Sequence, residues 1–187
     1  MPALWVAEAS GMTHLYQALL GSDWSLLAPV TRALHSPDST VLFEGTVDIV
    51  RGSRPLAPLI AGILGLPKAG RQQPALVKVS KSGAGELLER WYDGRHFSTW
   101  QGRAAGLLTE RFGPFGLSFR LRLADEVLHF DRQGVTLWGI RLPEALSPRV
   151  VANERSAGDR HVFDVALSLP LVGLIVQYRG ELVAATD

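Results

Sequence analysis

The sequence predicts an α+β domain that is mostly β. Its expected form is a strongly curved antiparallel meander, or an incomplete β-barrel, of about ten strands. Short N-terminal helices and one apolar helix should cover a side or mouth. Three observations predict this. From Ala75 onward, short alternating stretches are separated by tight-turn residues. The chain closes on a hairpin pattern with one apolar and one polar face. A wholly apolar segment follows the first strand pattern, where a cover would be placed.

Residues 1–12 read as a disordered N-terminal extension to a single domain spanning 13–187, and Met12 is an alternative start. Thr13 is placed to cap a helix over 14–20 that Gly21 ends. A second helix begins at Pro29, which presets the first helical φ, and runs to about His35. Over 41–50, Val41, Phe43, Val47 and Ile49 alternate with Glu44, Thr46 and Asp48, as a strand with one buried face requires. Ser53 is a candidate N-cap for the next segment. Residues 55–67, PLAPLIAGILGLP, carry no charge, and Leu56, Leu59, Ile60, Ile63 and Leu64 recur at helical spacing. Such a helix is buried or inserted in something, or is a mobile lid or a membrane-docking tip; it is too short to span a bilayer.

Strands are then expected near 75–81, 85–92, 95–101, 105–112, 115–123, 126–132, 134–141, 149–157, 161–169 and 174–183. Asp93-Gly94 is the sharpest turn signal between them, because a type I′ turn needs positive φ at both central residues. In the last two strands, Leu169 pairs with Leu174 across a four-residue loop, Leu167 with Val176 and Val165 with Tyr178. Slipping that register by one residue would bury Arg179 and Glu181.

Composition excludes several functions. Over 187 residues, 19 Lys+Arg against 18 Asp+Glu leave a net charge of +1, with no basic stripe for nucleic acid. Cysteine is absent, which rules out disulfides and thiolate metal sites. No signal-peptide pattern or transmembrane run is present, so a cytoplasmic location is expected. Gly83-Ala84-Gly85 lacks the third glycine of a dinucleotide loop, and there is no GxSxG or HExxH. His14, His35, His96, His129 and His161 are scattered without ligand spacing, so neither a metal site nor a cofactor is expected.

Taken together, LYQALLG (15–21), LAPVTRALH (27–35), GILGLP (62–67), ERFGP (110–114), SPRV (147–150) and FDVALSLPLVGLIVQYRGEL (163–182) resemble a bacterial family, the domain-of-unknown-function family 4166. The resemblance runs from Leu15 to Leu182. It implies a domain of unassigned activity, found in other chains behind reductase-like NADP-binding domains, and it carries over no catalytic residue.

Glu110 is the leading candidate for chemistry. Period two puts it on the apolar face of Leu108 and Phe112, where a carboxylate needs a partner, such as Arg90, Arg120 or Arg122, or a raised pKa. The Asp93-Gly94 hairpin pairs Trp91 with His96 and Leu87 with Trp100, and sets Glu89 opposite Ser98. Tyr178 turns inward and needs a partner for its hydroxyl. Glu110, His96 and Tyr178 are therefore the candidate polar or catalytic groups. Trp91, Trp100, Phe112, Leu59 and Ile63 are the candidate ligand-binding wall.

Surplus apolar residues, 47 % of the chain, motivate the leading functional expectation. It is a binding domain with an apolar cavity for a lipid-like, polyketide-like or isoprenoid-like molecule. The alternatives are a cofactor-free cyclase or isomerase using a carboxylate in the same cavity, and an interaction domain for a reductase or membrane protein. Peripheral membrane contact and oligomeric state stay open.

Overall fold

The structure, a computed structural model, describes residues 14–185. Its strands are β1 (Thr40–Arg51), β2 (Gly70–Ser82), β3 (Gly85–Tyr92), β4 (Arg95–Ala104), β5 (Leu107–Phe112), β6 (Phe115–Ala124), β7 (Val127–Leu137), β8 (Ile140–Arg141), β9 (Arg149–Ala157), β10 (Arg160–Leu169) and β11 (Gly173–Ala184). Every pairing is antiparallel, and each strand of the wall pairs with the next one in the chain, β8 being a two-residue spur on β7. β1 then pairs with β11 from Phe43–Ala184 to Arg51–Val176, which closes a ten-stranded barrel. The expected meander is thus complete, and closure removes the free edges that an open curved sheet would expose.

The thinnest join lies between β7 and β9, which pair only through Leu128 with Glu154 and His129 with Asn153. Beyond it, β8 and a 3-10 turn, Glu144–Leu146, run beside the end of β7, with Leu142 N–H donating to the Val135 carbonyl. The break expected between strands at 126–132 and 134–141 is absent. Gln133-Gly134 lies inside β7, where Gln133 is bulged out between Arg132 and Gly134. The glycine allows close approach to β6: a Cβ there would lie 3.2 Å from the Ser118 hydroxyl. At Asp93-Gly94, φ is 49° and 73°, as a type I′ turn demands. The last hairpin pairs Leu167 with Val176 and Val165 with Tyr178 as expected, but a bulge after Leu167 makes Leu169 pair with Gly173. Arg179 and Glu181 stay outside, held by Asp164 and Arg160.

Helices stopper the two ends. α1 (Leu15–Leu20) and α2 (Pro29–Leu34), joined by a 3-10 turn over Gly21–Leu26, cover the end where β1 begins. Tyr16, Leu20 and Leu27 pack there on Leu108, Phe119, Leu128 and Phe130. Thr13 and the expected extension over 1–12 lie outside the described residues. α3 (Leu56–Ile63) packs on β1 and β11 at the other end, with Pro55, not Ser53, at its N-cap. The face it buries is the small one. Ala57 and Ala61 are fully buried, with Ile60 and Leu64 beside them, because alanines let the helix backbone approach the strands. Leu56, Leu59 and Ile63 are turned outward instead.

Candidate functional site

Alternation along the strands makes the barrel interior amphipathic. β3 turns Leu88, Arg90 and Tyr92 inward, β4 Phe97, Thr99 and Gln101, β5 Glu110 and Phe112, and β9 Val150, Ala152 and Glu154. Three adjoining spaces result. Beside α3 lies a cavity of about 170 Å³ lined only by apolar side chains, including Ile60, Leu64, Phe115 and Leu169. It shares Phe112, Leu117, Val150 and Leu167 with a central cavity of about 130 Å³. A third, of about 60 Å³, reaches toward α2 and shares Arg90, Gln101, Glu154 and Tyr178 with the central one. Grease therefore gives way to polar groups from the α3 end inward.

Two charge pairs furnish the polar part. Arg90 donates to Thr99 Oγ1 at 3.2 Å and to Glu110 Oε1 at 3.4 Å, and its guanidinium lies 5.2 Å from the centre of the Phe97 ring. Burial would favour the neutral base, but Glu110 together with Tyr178 and Tyr92 outweighs it and raises the Arg90 pKa. Deeper, His35 Nε2 lies 2.6 Å from Glu154 Oε2, and Tyr16 stacks on the His35 ring at 3.8 Å. Burial pushes the Glu154 carboxyl up, yet the charge and hydrogen bond of His35, with smaller help from His161 and Arg90, hold it below the usual range. His161 stands 4.0 Å from the same carboxylate, with its Nδ1 3.3 Å from the Thr31 hydroxyl. Burial lowers its pKa to about 4, so it is a neutral imidazole near pH 7. Tyr16 donates to Gln101 Oε1 at 3.2 Å.

Arg90 and Glu110 each keep 14 % of their side-chain surface exposed, and that surface faces the lumen. Tyr178 also reaches it; no protein hydrogen bond to its hydroxyl is found among the described residues, and burial raises its pKa, so it stays a phenol. Among the described residues no group of three or more His, Asp and Glu is arranged to hold a metal ion. Glu154 is spent on His35, and Thr31 takes the far nitrogen of His161.

A family model described as "Domain of unknown function (DUF4166)" matches residues 27–182, most of the chain. The chain belongs to this family. A search of curated proteins finds no match. Among solved structures, a secretary abundant heat soluble (SAHS) protein from Ramazzottius varieornatus is 12 % identical, with a TM-score of 0.39 over 78 % of this chain and 93 % of that one. Rv2717c from M. tuberculosis is 15 % identical, with a TM-score of 0.44 over 86 % of this chain and 99 % of that one.

Within this DUF4166 chain the sequence-derived candidates separate into two groups. Glu110, Tyr178 and Phe112 come together on the central cavity, with Arg90 as the partner of Glu110. Trp91, Trp100 and His96 do not join them. The register expected for their hairpin is the observed one, but the face is the outer one. Tyr92, Thr99 and Gln101 take the inside, so period two sends Trp91, Trp100 and His96 out. There His96 pairs with Glu89 and lies 4.6 Å from the Trp91 ring, and Trp100 faces Arg111. Leu59 is 60 % exposed; Ile63, at 76 %, only edges the apolar cavity. Sequence reasoning passed over Glu154, His161, His35, Gln101 and Tyr16. Glu154 gave the same signal as Glu110, a carboxylate alternating with Val150 and Ala152.

Proposed function

We propose that this chain binds an apolar small molecule of lipid-like, polyketide-like or isoprenoid-like character inside its barrel. One observation carries the reading: an all-apolar cavity adjoins, across shared walls, a central cavity lined by polar side chains. A packed core would leave no such surface, whereas binding cavities combine apolar walls with a few convergent polar groups. Phe112, Leu117, Val150 and Leu167 form the wall of the apolar path, and Tyr178, Arg90 and Glu110 receive the polar part. The test is native mass spectrometry of the purified protein, followed by extraction and identification of what it carries. A bound apolar molecule displaced by added competitor is the expected result. Protein that takes up no fatty, isoprenoid or polyketide compound would refute it. Trp91 and Trp100 stand outside the barrel, so their fluorescence is a poor reporter of occupancy.

A cofactor-free cyclase or isomerase is the second reading, favoured by the two lumen-facing carboxylates, Glu110 and Glu154. Arg90 occupies the first, while His35 gives the second a partner able to exchange a proton. Turnover of a candidate substrate that survives both Glu110→Gln and Glu154→Gln would end that reading.

A further inference from the structure

We infer that the lumen selects an apolar molecule whose polar end is uncharged, a hydroxyl or a carbonyl, over the matching carboxylate or amine. This rests on the binding reading above. The only arginine facing the lumen among the described residues is already committed to Glu110 and Thr99. A carboxylate entering would meet two carboxylates, Glu110 and Glu154, whose partners Arg90 and His35 are already engaged. An ammonium would meet Arg90 in the same space, with Glu110 held by Arg90 and Glu154 by His35. Either ion would leave water without a free counter-charge, and burying an unpaired charge is far costlier than burying a hydroxyl. The Tyr178 hydroxyl can both donate to and accept from a neutral polar group.

Equilibrium dialysis of the full chain at neutral pH against labelled lauryl alcohol, lauric acid and laurylamine tests this. The alcohol should bind about ten-fold or more tightly than either ion. Glu110→Gln frees the Arg90 cation, so the ratio of lauric acid to lauryl alcohol binding should rise about ten-fold. Tyr178→Phe removes a hydroxyl without a protein partner and should fold. It should weaken the alcohol several-fold, roughly a hydrogen bond's worth, and leave dodecane unaffected. Acid or amine binding tightest, an acid-to-alcohol ratio unmoved by Glu110→Gln, or an alcohol-to-dodecane ratio unmoved by Tyr178→Phe would each overturn the selectivity and leave the binding reading standing. No binding by any of the four probes would defeat the binding reading and the selectivity with it.

A different observation carries a second proposal. We propose that the α3 end of the barrel docks on an anionic phospholipid surface. Leu56, Leu59 and Ile63 of α3 are 56 %, 60 % and 76 % exposed, and Leu171, on the β10–β11 turn, is 94 % exposed. That turn is tied to the start of α3 by Arg54, which donates to the Leu171 carbonyl at 2.8 Å. Around this apolar tip, the strand ends and loops expose Arg54, Lys68, Arg71, Arg95, Arg141 and Arg149 against Asp93 and Glu144, the latter paired with Arg132. The opposite end exposes Asp38, Asp125, Glu126 and Asp159 against Arg103, Arg122, Arg155 and Arg160, and so is balanced. A chain with a net charge of +1 therefore carries its local excess of cations around the exposed leucines and isoleucine. The all-apolar cavity lies beside the same helix, so the docked face is the one nearest the ligand's path.

Co-sedimentation with vesicles is the test. Protein should pellet with phosphatidylglycerol-containing vesicles, stay in solution with pure phosphatidylcholine, and be released by salt. Ile63→Asp and Leu171→Asp, both at exposed positions, should each cut binding about ten-fold without unfolding the chain. No binding to the anionic vesicles at low salt, equal binding to both lipids, or variants that pellet like the native chain would overturn it.

Discussion

Replacing His35 by leucine should cost about 3–5 kcal/mol of stability, because it leaves the Glu154 carboxylate buried without its partner. It should also flatten or reverse the acid-side pH dependence. In the native protein the Glu154 pKa is depressed, so its contribution is present above the unfolded value and is lost as pH falls through the folded one. The His161 pKa is lowered from 6.5 to about 4, so over that window the unfolded chain binds the extra proton and stability climbs with pH. Both groups make the native protein weaker in acid. Without His35, burial dominates at Glu154 and lifts its pKa, and a raised carboxyl stabilises at low pH and loses that contribution as pH rises. His161, rid of the neighbouring imidazole and still beside the carboxylate, protonates more readily. Urea unfolding from pH about 4 to about 8 reads the slope directly. His35→Gln, whose amide can still donate to Glu154, should restore much of the loss. A His35→Leu protein with the native slope would show that the pair does not govern acid stability.

The fold was legible because period-two alternation and turn chemistry are local signals. Asp93-Gly94 set a register in which Trp91 meets His96 and Leu87 meets Trp100, and the structure has those pairs. Alternation separates two faces without naming the inner one, however. Glu110 announces its side through Leu108 and Phe112, whereas both faces of the Trp91 hairpin carry aromatic and charged residues, so alternation alone does not separate the tryptophan face from the inner one. Closure of the barrel depends on the meeting of β1 and β11, strands far apart in sequence, which no local pattern encodes. The His35, Glu154 and His161 cluster was hidden for the same reason: α2, β9 and β10 bring the three together only once the barrel has closed. In α3, apolar spacing suggested the Leu59 and Ile63 face, but the shape of the seat favoured Ala57 and Ala61.

Val150→Trp should abolish tight ligand binding, by about 100-fold or more, while changing stability by only about 1–3 kcal/mol. Val150 borders both the apolar cavity beside α3 and the central cavity. An indole projecting from β9 at that point would enter the boundary between the two cavities, among Phe112, Leu117 and Leu167. The usual penalty of overpacking arises when added atoms have nowhere to go, and here they enter existing space, so the fold should tolerate them. Val150→Ala makes the converse change: it widens the passage, costs about 1 kcal/mol as a truncated core residue, and should leave binding within a few-fold of native. Dialysis against lauryl alcohol, with thermal unfolding on the same samples, separates loss of the path from loss of the fold. If the tryptophan variant binds as the native protein does, the apolar and polar cavities are not one route, and the ligand's apolar end must lie elsewhere in the barrel.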